Sequence, residues 1–282
     1  MIGNLKVDLN SFDDIDIRVD SAGRFYREQT YRLTKKDTDL EEREEILDIN
    51  IFPISAYEKN KTRRRKKKET RVSQNKLNDK RAKEYFFRKV QCNFDRTDYI
   101  WCISYTNEPK SVEEANNDFR NLFKRINRYR KKIGLGNAKY MAIREGGGEG
   151  SKKRIHFHII IDGKIERDKL ESFWKKGYSH TRRLQPDETG FKALSNYMTK
   201  GREHGKRWKL SKGNLVEPEA NVNDCKFTRG KMRKMLQHNP SREELEAMYP
   251  GYCLTDYSIT YNEINGGIYM KILMRRVVKN KR

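Results

Sequence analysis

The chain has no apolar run long enough to span a bilayer, and no signal-peptide core follows Met1. A soluble, cytoplasmic protein is expected. Met1 to Asn10 offers neither a basic amphipathic helix nor a lipidation signal, so surface anchoring to a membrane is not expected either. Cysteine is scarce. Cys92, Cys102, Cys225 and Cys253 are scattered without a C-x-x-C pair, which argues against a zinc ribbon and against a disulfide framework. Core-forming residues are also short, at 35% hydrophobic against 37% charged, so part of the length is expected to be extension or open surface.

What the chain has in excess is positive charge. Its 63 Lys and Arg against 40 Asp and Glu leave +23 over 282 residues. Such a surplus favours a polyanionic partner, because each neutralised phosphate releases counterions. Nucleic acid is the first expectation.

Three regions are expected. Residues 1–80 read as an N-terminal extension, with an acidic patch from Asp37 to Glu45 and then Lys61 to Arg71, where eight of eleven residues are basic. Neither stretch has a sustained apolar period, so a solvent-facing segment is expected, and a solvated face or a DNA-backbone contact both fit the basic run. Residues 81–215 carry the sharper pattern. Ile100 to Thr106 is rich in β-formers, and Ser111 with Glu114 forms a capping-box signal ahead of a helix with Phe119, Leu122, Phe123 and Ile126 on one face. Lys139 to Arg144 and Ile155 to Asp162 read as strands joined through a Gly-rich turn. Asp168 to Lys176 reads as a short helix, Tyr178 to Leu184 as a strand and Asp187 to Lys200 as a final helix. The order β-α-β-β-α-β predicts an α+β domain of ferredoxin-like, split β-α-β type, an antiparallel sheet with helices on one face. Residues 216–282 add a helix at Ser241 to Met248 and a hairpin of Tyr257 to Tyr261 with Ile268 to Met274.

Within this pattern His156, Phe157 and His158 stand out, because alternate residues of a strand share a face. Two imidazoles on one face of an otherwise apolar strand are either a metal site or two half-buried, hydrogen-bonded side chains. Counting back through the turn sets Glu145 close to opposite the pair, where it completes three ligands or simply ends its strand in solvent. On the last helix, Phe191, Leu194 and Met198 form the buried stripe, while Tyr197 and Lys200 share a neighbouring face.

The Ile103-Ser104-Tyr105-Thr106 strand, Glu145 ahead of His156-Phe157-His158, and Tyr197-Met198-Thr199-Lys200 resemble, in order, the three motifs of the HUH endonucleases. The closest likeness is to rolling-circle replication initiators of bacteriophages and plasmids, over roughly residues 75–215. The resemblance implies a divalent ion, Mg²⁺ or Mn²⁺, on Glu145, His156 and His158. It implies Tyr197 as the nucleophile, Lys200 as its electrostatic partner, and nicking and rejoining of single-stranded DNA through a 5′-phosphotyrosine. Lys152, Lys153, Arg154, Arg182 and Arg183 are candidates to follow the DNA backbone, and Trp174, Tyr178 and Trp208 to stack on bases.

Two departures qualify the likeness. Ala193 stands one helical turn before Tyr197, which implies a single-tyrosine enzyme; a second protomer of a homo-oligomer could then supply a second tyrosine. No G-x-x-x-x-G-K-[ST] loop occurs, so unwinding would fall to a host helicase, with a host polymerase extending the freed end, in the cytoplasm of a bacterial host. Two rival readings remain at this level. A single-tyrosine transposase or mobilisation relaxase shares the chemistry, although such transposases are usually much shorter and relaxases usually carry the tyrosine near the amino terminus. A non-catalytic nucleic-acid-binding module would be expected to show paired aromatics on its central strands.

Overall fold

The computed structural model describes residues 24–35, 45–55, 72–147, 153–200, 208–262 and 266–277. These residues form ten strands and six helices in two compact units, an α+β architecture. No helix among them is long and apolar enough to cross a membrane.

One unit spans most of the central chain, from residue 72 to residue 218. It holds α1 (Val72–Asn93), β3 (Tyr99–Ser104), α2 (Val112–Lys132), β4 (Tyr140–Glu145), β5 (His156–Ile161), α3 (Arg167–Glu171), β6 (Ser179–Arg183), α4 (Lys192–Met198) and β7 (Trp208–Leu210). The sheet order is β6-β3-β5-β4-β7, and every neighbouring pair is antiparallel. Two crossovers are therefore interlocked. The chain leaves β3 through α2 to β4 with β5 between them, and leaves β5 through α3 to β6 with β3 between them, which is the expected split β-α-β arrangement.

The alternation of the strands decides which face each helix covers. Trp101, Ile103, Phe157 and Ile159 pack with Ala115, Phe119, Leu122 and Ile126 of α2 and Leu170 of α3, all buried. Ser111 caps α2, its hydroxyl accepting from the Glu114 N–H at 3.1 Å. The Glu114 carboxylate accepts from the Lys110 N–H at 2.7 Å, one residue short of the expected reciprocal box. The opposite face is covered too. Phe86, Val90 and Phe94, one turn apart on α1, pack with Met141, Ile143 and Ile160 of the sheet and with Phe191 and Met198 around α4. The crossover helices thus take one face as expected, and two further helices occupy part of the other.

The second unit contains β1 (Arg24–Leu33), apart from its last residue, with β2 (Ile46–Ser55), β8 (Ala220–Asn223), α5 (Arg229–His238), α6 (Arg242–Met248), β9 (Tyr252–Asn262) and β10 (Gly267–Arg276). Its sheet runs β8-β1-β2-β10-β9. Leu47, Ile49 and Ile51 of β2 lie in register with Met274, Ile272 and Met270 of β10, and their shared face packs on Met232 and Met235 of α5 and Leu245 of α6. This corrects the expectation of a solvent-facing extension over residues 1–80 where it is described. Residues 24–33 and 46–55 are strands of this second sheet, and the helix that begins at Val72 belongs to the first unit. Most of the acidic patch and the whole basic run lie outside the described residues.

The α4 helix is shorter than the expected Asp187 to Lys200. The Asp187 carboxylate accepts from the Thr189 N–H at 2.7 Å and its hydroxyl at 2.6 Å, closing a turn that postpones the helix to Lys192. The short helix expected to reach Lys176 ends at Glu171, and the chain beyond it buries Trp174.

Candidate metal and nucleophile site

Antiparallel register places three rows of side chains on one face of the first sheet. Glu145 lies directly opposite His156, and His156 opposite Ser104. The next row runs His180, Cys102, His158, Ile143 and Trp208 across the five strands. The third begins with Arg182 and Ile100 and is closed by buried Ile160 and Met141. Polarity is therefore confined to the end of the strands nearest the Gly-rich turn.

Glu145, His156 and His158 each aim one donor atom at a common point, and these atoms all lie within 4.8 Å of one another. The His156 Nε2 is 3.5 Å from the Glu145 carboxylate, and the two imidazoles stand edge to face with centroids 5.0 Å apart. Each ring is held from behind. The His156 Nδ1 is 2.9 Å from the Arg154 carbonyl, which can only accept, so Nδ1 carries the proton and Nε2 keeps its lone pair toward Glu145. The His158 Nδ1 is 3.2 Å from the Cys102 sulfur. Burial pushes the His158 pKa down, His156 and Lys153 adding to the effect and Glu145 opposing it. A neutral imidazole is the form that ligates a metal. Two nitrogens and one carboxylate, each oriented by a neighbour, form a donor set able to hold a divalent ion with open positions.

Tyr197 comes from the helix above. Met198 and Thr199 are fully buried, and the Thr199 hydroxyl donates back to the Ser195 carbonyl at 2.7 Å, so the end of α4 is anchored. Its start is anchored too, because the Phe191 N–H donates to the buried Gln91 side chain of α1 at 2.9 Å. Between these two points Tyr197 faces out, 59% exposed, with its ring edge-on to His158 at 5.6 Å. Lys200 follows the helix with an exposed side chain, its N–H donating to the Tyr197 carbonyl at 3.3 Å.

The other candidates separate by their surroundings. Lys153 is exposed and 3.5 Å from Glu145. Arg154 is tied to the Tyr105 and Thr106 carbonyls at 3.0 and 2.8 Å and so clamps the mouth of the β4–β5 hairpin to the end of β3. Arg182 is exposed on the histidine face. Arg183 has the opposite parity; its guanidinium lies over the Tyr99 ring at 4.1 Å and donates to the Thr97 carbonyl. Trp174 is buried in the α2 core, donating to the Ser104 carbonyl at 2.8 Å, so it offers no face to a base. Trp208 is half-buried against Phe86, centroids 5.0 Å apart. Lys152 lies outside the described residues.

Three neighbours of the site carry more than the sequence reading gave them. Cys102 contacts His158, His180 joins the same row, and Gln91 seats the tyrosine helix. Strand parity counted from His158 through an assumed β3–β5 pairing would have found Cys102; Gln91 had no local signal.

Residues 98–202 match a family model of replication-associated proteins, the ORF2 group. No curated protein and no solved structure gives a match. The matched segment runs from the start of β3 through α4 and contains Glu145, His156, His158, Tyr197 and Lys200. This stretch of the chain therefore belongs with the replication-associated proteins of that group, which supports a phage- or plasmid-type replication initiator.

Proposed function

We propose that the protein initiates rolling-circle replication by nicking and rejoining single-stranded DNA at its origin through a covalent link to Tyr197. The observation that carries this reading is the convergence of Glu145, His156 and His158 beneath an exposed Tyr197 ring, in a segment that matches replication-associated proteins. A divalent ion such as Mg²⁺ or Mn²⁺, held by those three side chains, would supply Lewis-acid polarisation of one DNA phosphodiester.

The chain's own residues do the rest. Tyr197 Oη forms the bond to phosphorus as the bond to the 3′ oxygen breaks, leaving a 5′-phosphotyrosine and a free 3′-hydroxyl. The proton lost by the phenol is balanced by the proton gained by the 3′ oxygen. A protonated phenol is a weak nucleophile, and the ammonium of Lys200, one turn on, favours the developing negative charge. One phosphodiester is exchanged for another, so an incoming 3′-hydroxyl can reverse the step and reseal a circle. The exposed positions of Tyr197 and Lys200 suit a polymeric substrate that must enter and leave. Unwinding and extension fall to a host helicase and polymerase, since the chain has no phosphate-binding loop of its own.

The test uses labelled single-stranded oligonucleotides tiling the DNA around the gene, incubated with the full chain and Mn²⁺ or Mg²⁺, and a denaturing gel to reveal a covalent adduct. Tyr197→Phe is expected to abolish the adduct and leave DNA binding within about twofold, because it removes only the hydroxyl. Undiminished adduct in Tyr197→Phe would overturn the assignment.

A further inference from the structure

We propose that Tyr178, backed by His180 on edge strand β6, is a stacking platform for a nucleobase of single-stranded DNA next to the phosphodiester bound at Glu145, His156 and His158. The inference rests on the reading of that site as one acting on DNA.

Among the described residues Tyr178 and Tyr197 are the two most exposed large hydrophobic side chains, at 62% and 59%. A lone exposed aromatic carries little information. The placement of this one carries more. Tyr178, His180 and Arg182 alternate along the chain and so share a face. His180 is directly opposite Cys102, which is directly opposite His158. The platform thus stands two strands from the histidine pair, roughly 10 Å at the usual strand spacing. A single strand whose phosphate sits at the pair reaches it within a few nucleotides.

The segment that carries Tyr178 is held rigidly. The Ser104 N–H donates to the Tyr178 carbonyl and the Thr106 N–H to the Lys176 carbonyl, both at 2.9 Å. Between them, a Cβ on Gly177 would run into the Ser104 carbonyl oxygen and the Thr106 nitrogen, so only glycine allows this approach to the end of β3. The ring is thereby fixed relative to Ser104, which lies opposite His156. The imidazole of His180 lies 6.0 Å from the Tyr178 ring at 36° and supports it, while the exposure of Tyr178 leaves ring surface for a partner. Arg182, exposed and next along the same face, supplies a cation for a phosphate. Burial removes Trp174 from this role. A pre-positioned aromatic with a cation beside it suits single-stranded nucleic acid, since every base has a π-face and stacking tolerates any sequence. The +23 charge of the chain fits the same partner.

The test is fluorescence anisotropy of the full chain with a fluorescein-labelled oligothymidylate in EDTA, where no cleavage can occur. Tyr178→Ala is expected to weaken binding about 5- to 150-fold, the range for loss of one base–aromatic stack, and Tyr178→Phe to stay within about twofold of the wild type. The salt slope of binding should be unchanged in Tyr178→Ala and fall by about 0.7 in Arg182→Ala. Binding of Tyr178→Ala within about twofold of the wild type, or equal weakening in Tyr178→Phe, overturns the platform. A slope that falls in Tyr178→Ala overturns it as well. Failure of the nuclease reading is a separate result, the absence of a Tyr197 adduct with divalent ions whatever Tyr178 does.

Discussion

Both ends of the β3–β5 pair carry carboxylates, and they are treated in opposite ways. At the end where β3 begins, Asp98 accepts from the Gly163 N–H, the Asp95 N–H and Lys35, each at 2.9 Å. Asp162, just past β5, accepts from Arg130 and the Lys139 N–H, both at 2.6 Å. Both carboxylates are buried, and each of their oxygens has a partner from the chain. At the other end Glu145 faces two imidazoles whose outer nitrogens point at it, and its cation, Lys153, is an exposed side chain at 3.5 Å. The difference separates a carboxylate that closes a structure from one that is left for a ligand. A paired buried carboxylate belongs to stability, whereas a carboxylate grouped with oriented imidazoles has coordination capacity to spare.

The comparison breaks most visibly at the closed end. Arg130→Met is expected to cost about 3–5 kcal/mol, because it leaves Asp162 buried without its cation and frees the Gly136 carbonyl that Arg130 also binds. Lys153→Ala, its counterpart at the open end, should change stability by less than about 0.5 kcal/mol, as expected for an exposed pair. Urea denaturation of the two variants measures the contrast. A loss under about 1 kcal/mol for Arg130→Met would show that the two ends are not different in kind.

Ion binding sharpens the contrast from the open side. If Glu145, His156 and His158 hold a divalent ion, Mn²⁺ at one hundred times its dissociation constant should stabilise the wild type by about 2.7 kcal/mol. Removal of the ion by EDTA should reverse the gain. Glu145→Gln and His158→Ala should fold without the ion and show no such gain, since each removes a donor from the set. The readout is the shift of the denaturation midpoint with and without Mn²⁺, which does not depend on catalysis. An equal gain in either variant would place the ion elsewhere.

Much of the open end was legible because its geometry is local. Alternation put His156 and His158 on one face, a short turn brought Glu145 opposite them, and helical spacing turned Met198 inward and Tyr197 outward. What the sequence hid was set by distant pairing. The strand from Ile46 to Ser55 has its own alternation at Leu47, Ile49 and Ile51, but its partner is β10, more than two hundred residues away, and charged runs flank it. The half of α1 nearest its start is polar, so Phe86, Val90 and Phe94 did not announce a core helix. Arg182 and Arg183 look alike in sequence, and only the register with Ile100 and Tyr99 sends one to the histidine face and the other onto an aromatic ring. Trp174 shows the same limit. A tryptophan near a strand end suits base stacking or core filling equally until the partner of its N–H is known, and here that partner is the Ser104 carbonyl.

The closed end should also respond to acid, through Asp95. Burial pushes the Asp95 carboxyl up, but bonds from the Thr97 hydroxyl and N–H, with the Lys35 ammonium at 2.9 Å, outweigh it and bring the pKa down from 3.8 to about 2. A carboxylate whose folded pKa is depressed stabilises the native state above its unfolded value and loses that contribution as pH falls through the folded one. The wild type should therefore exceed Asp95→Asn by about 1–2 kcal/mol above pH ~4, solvent around the group screening part of the full effect. The difference should shrink between pH ~4 and pH ~2 and vanish below. Asp98 runs in the other direction, because burial raises its pKa against the opposing pull of Lys35. Subtracting one denaturation series from the other removes most of that background, since Asp98 is retained in both proteins. A difference that persists unchanged to pH ~2 would mean that the Asp95 charge is not what secures this end of the sheet.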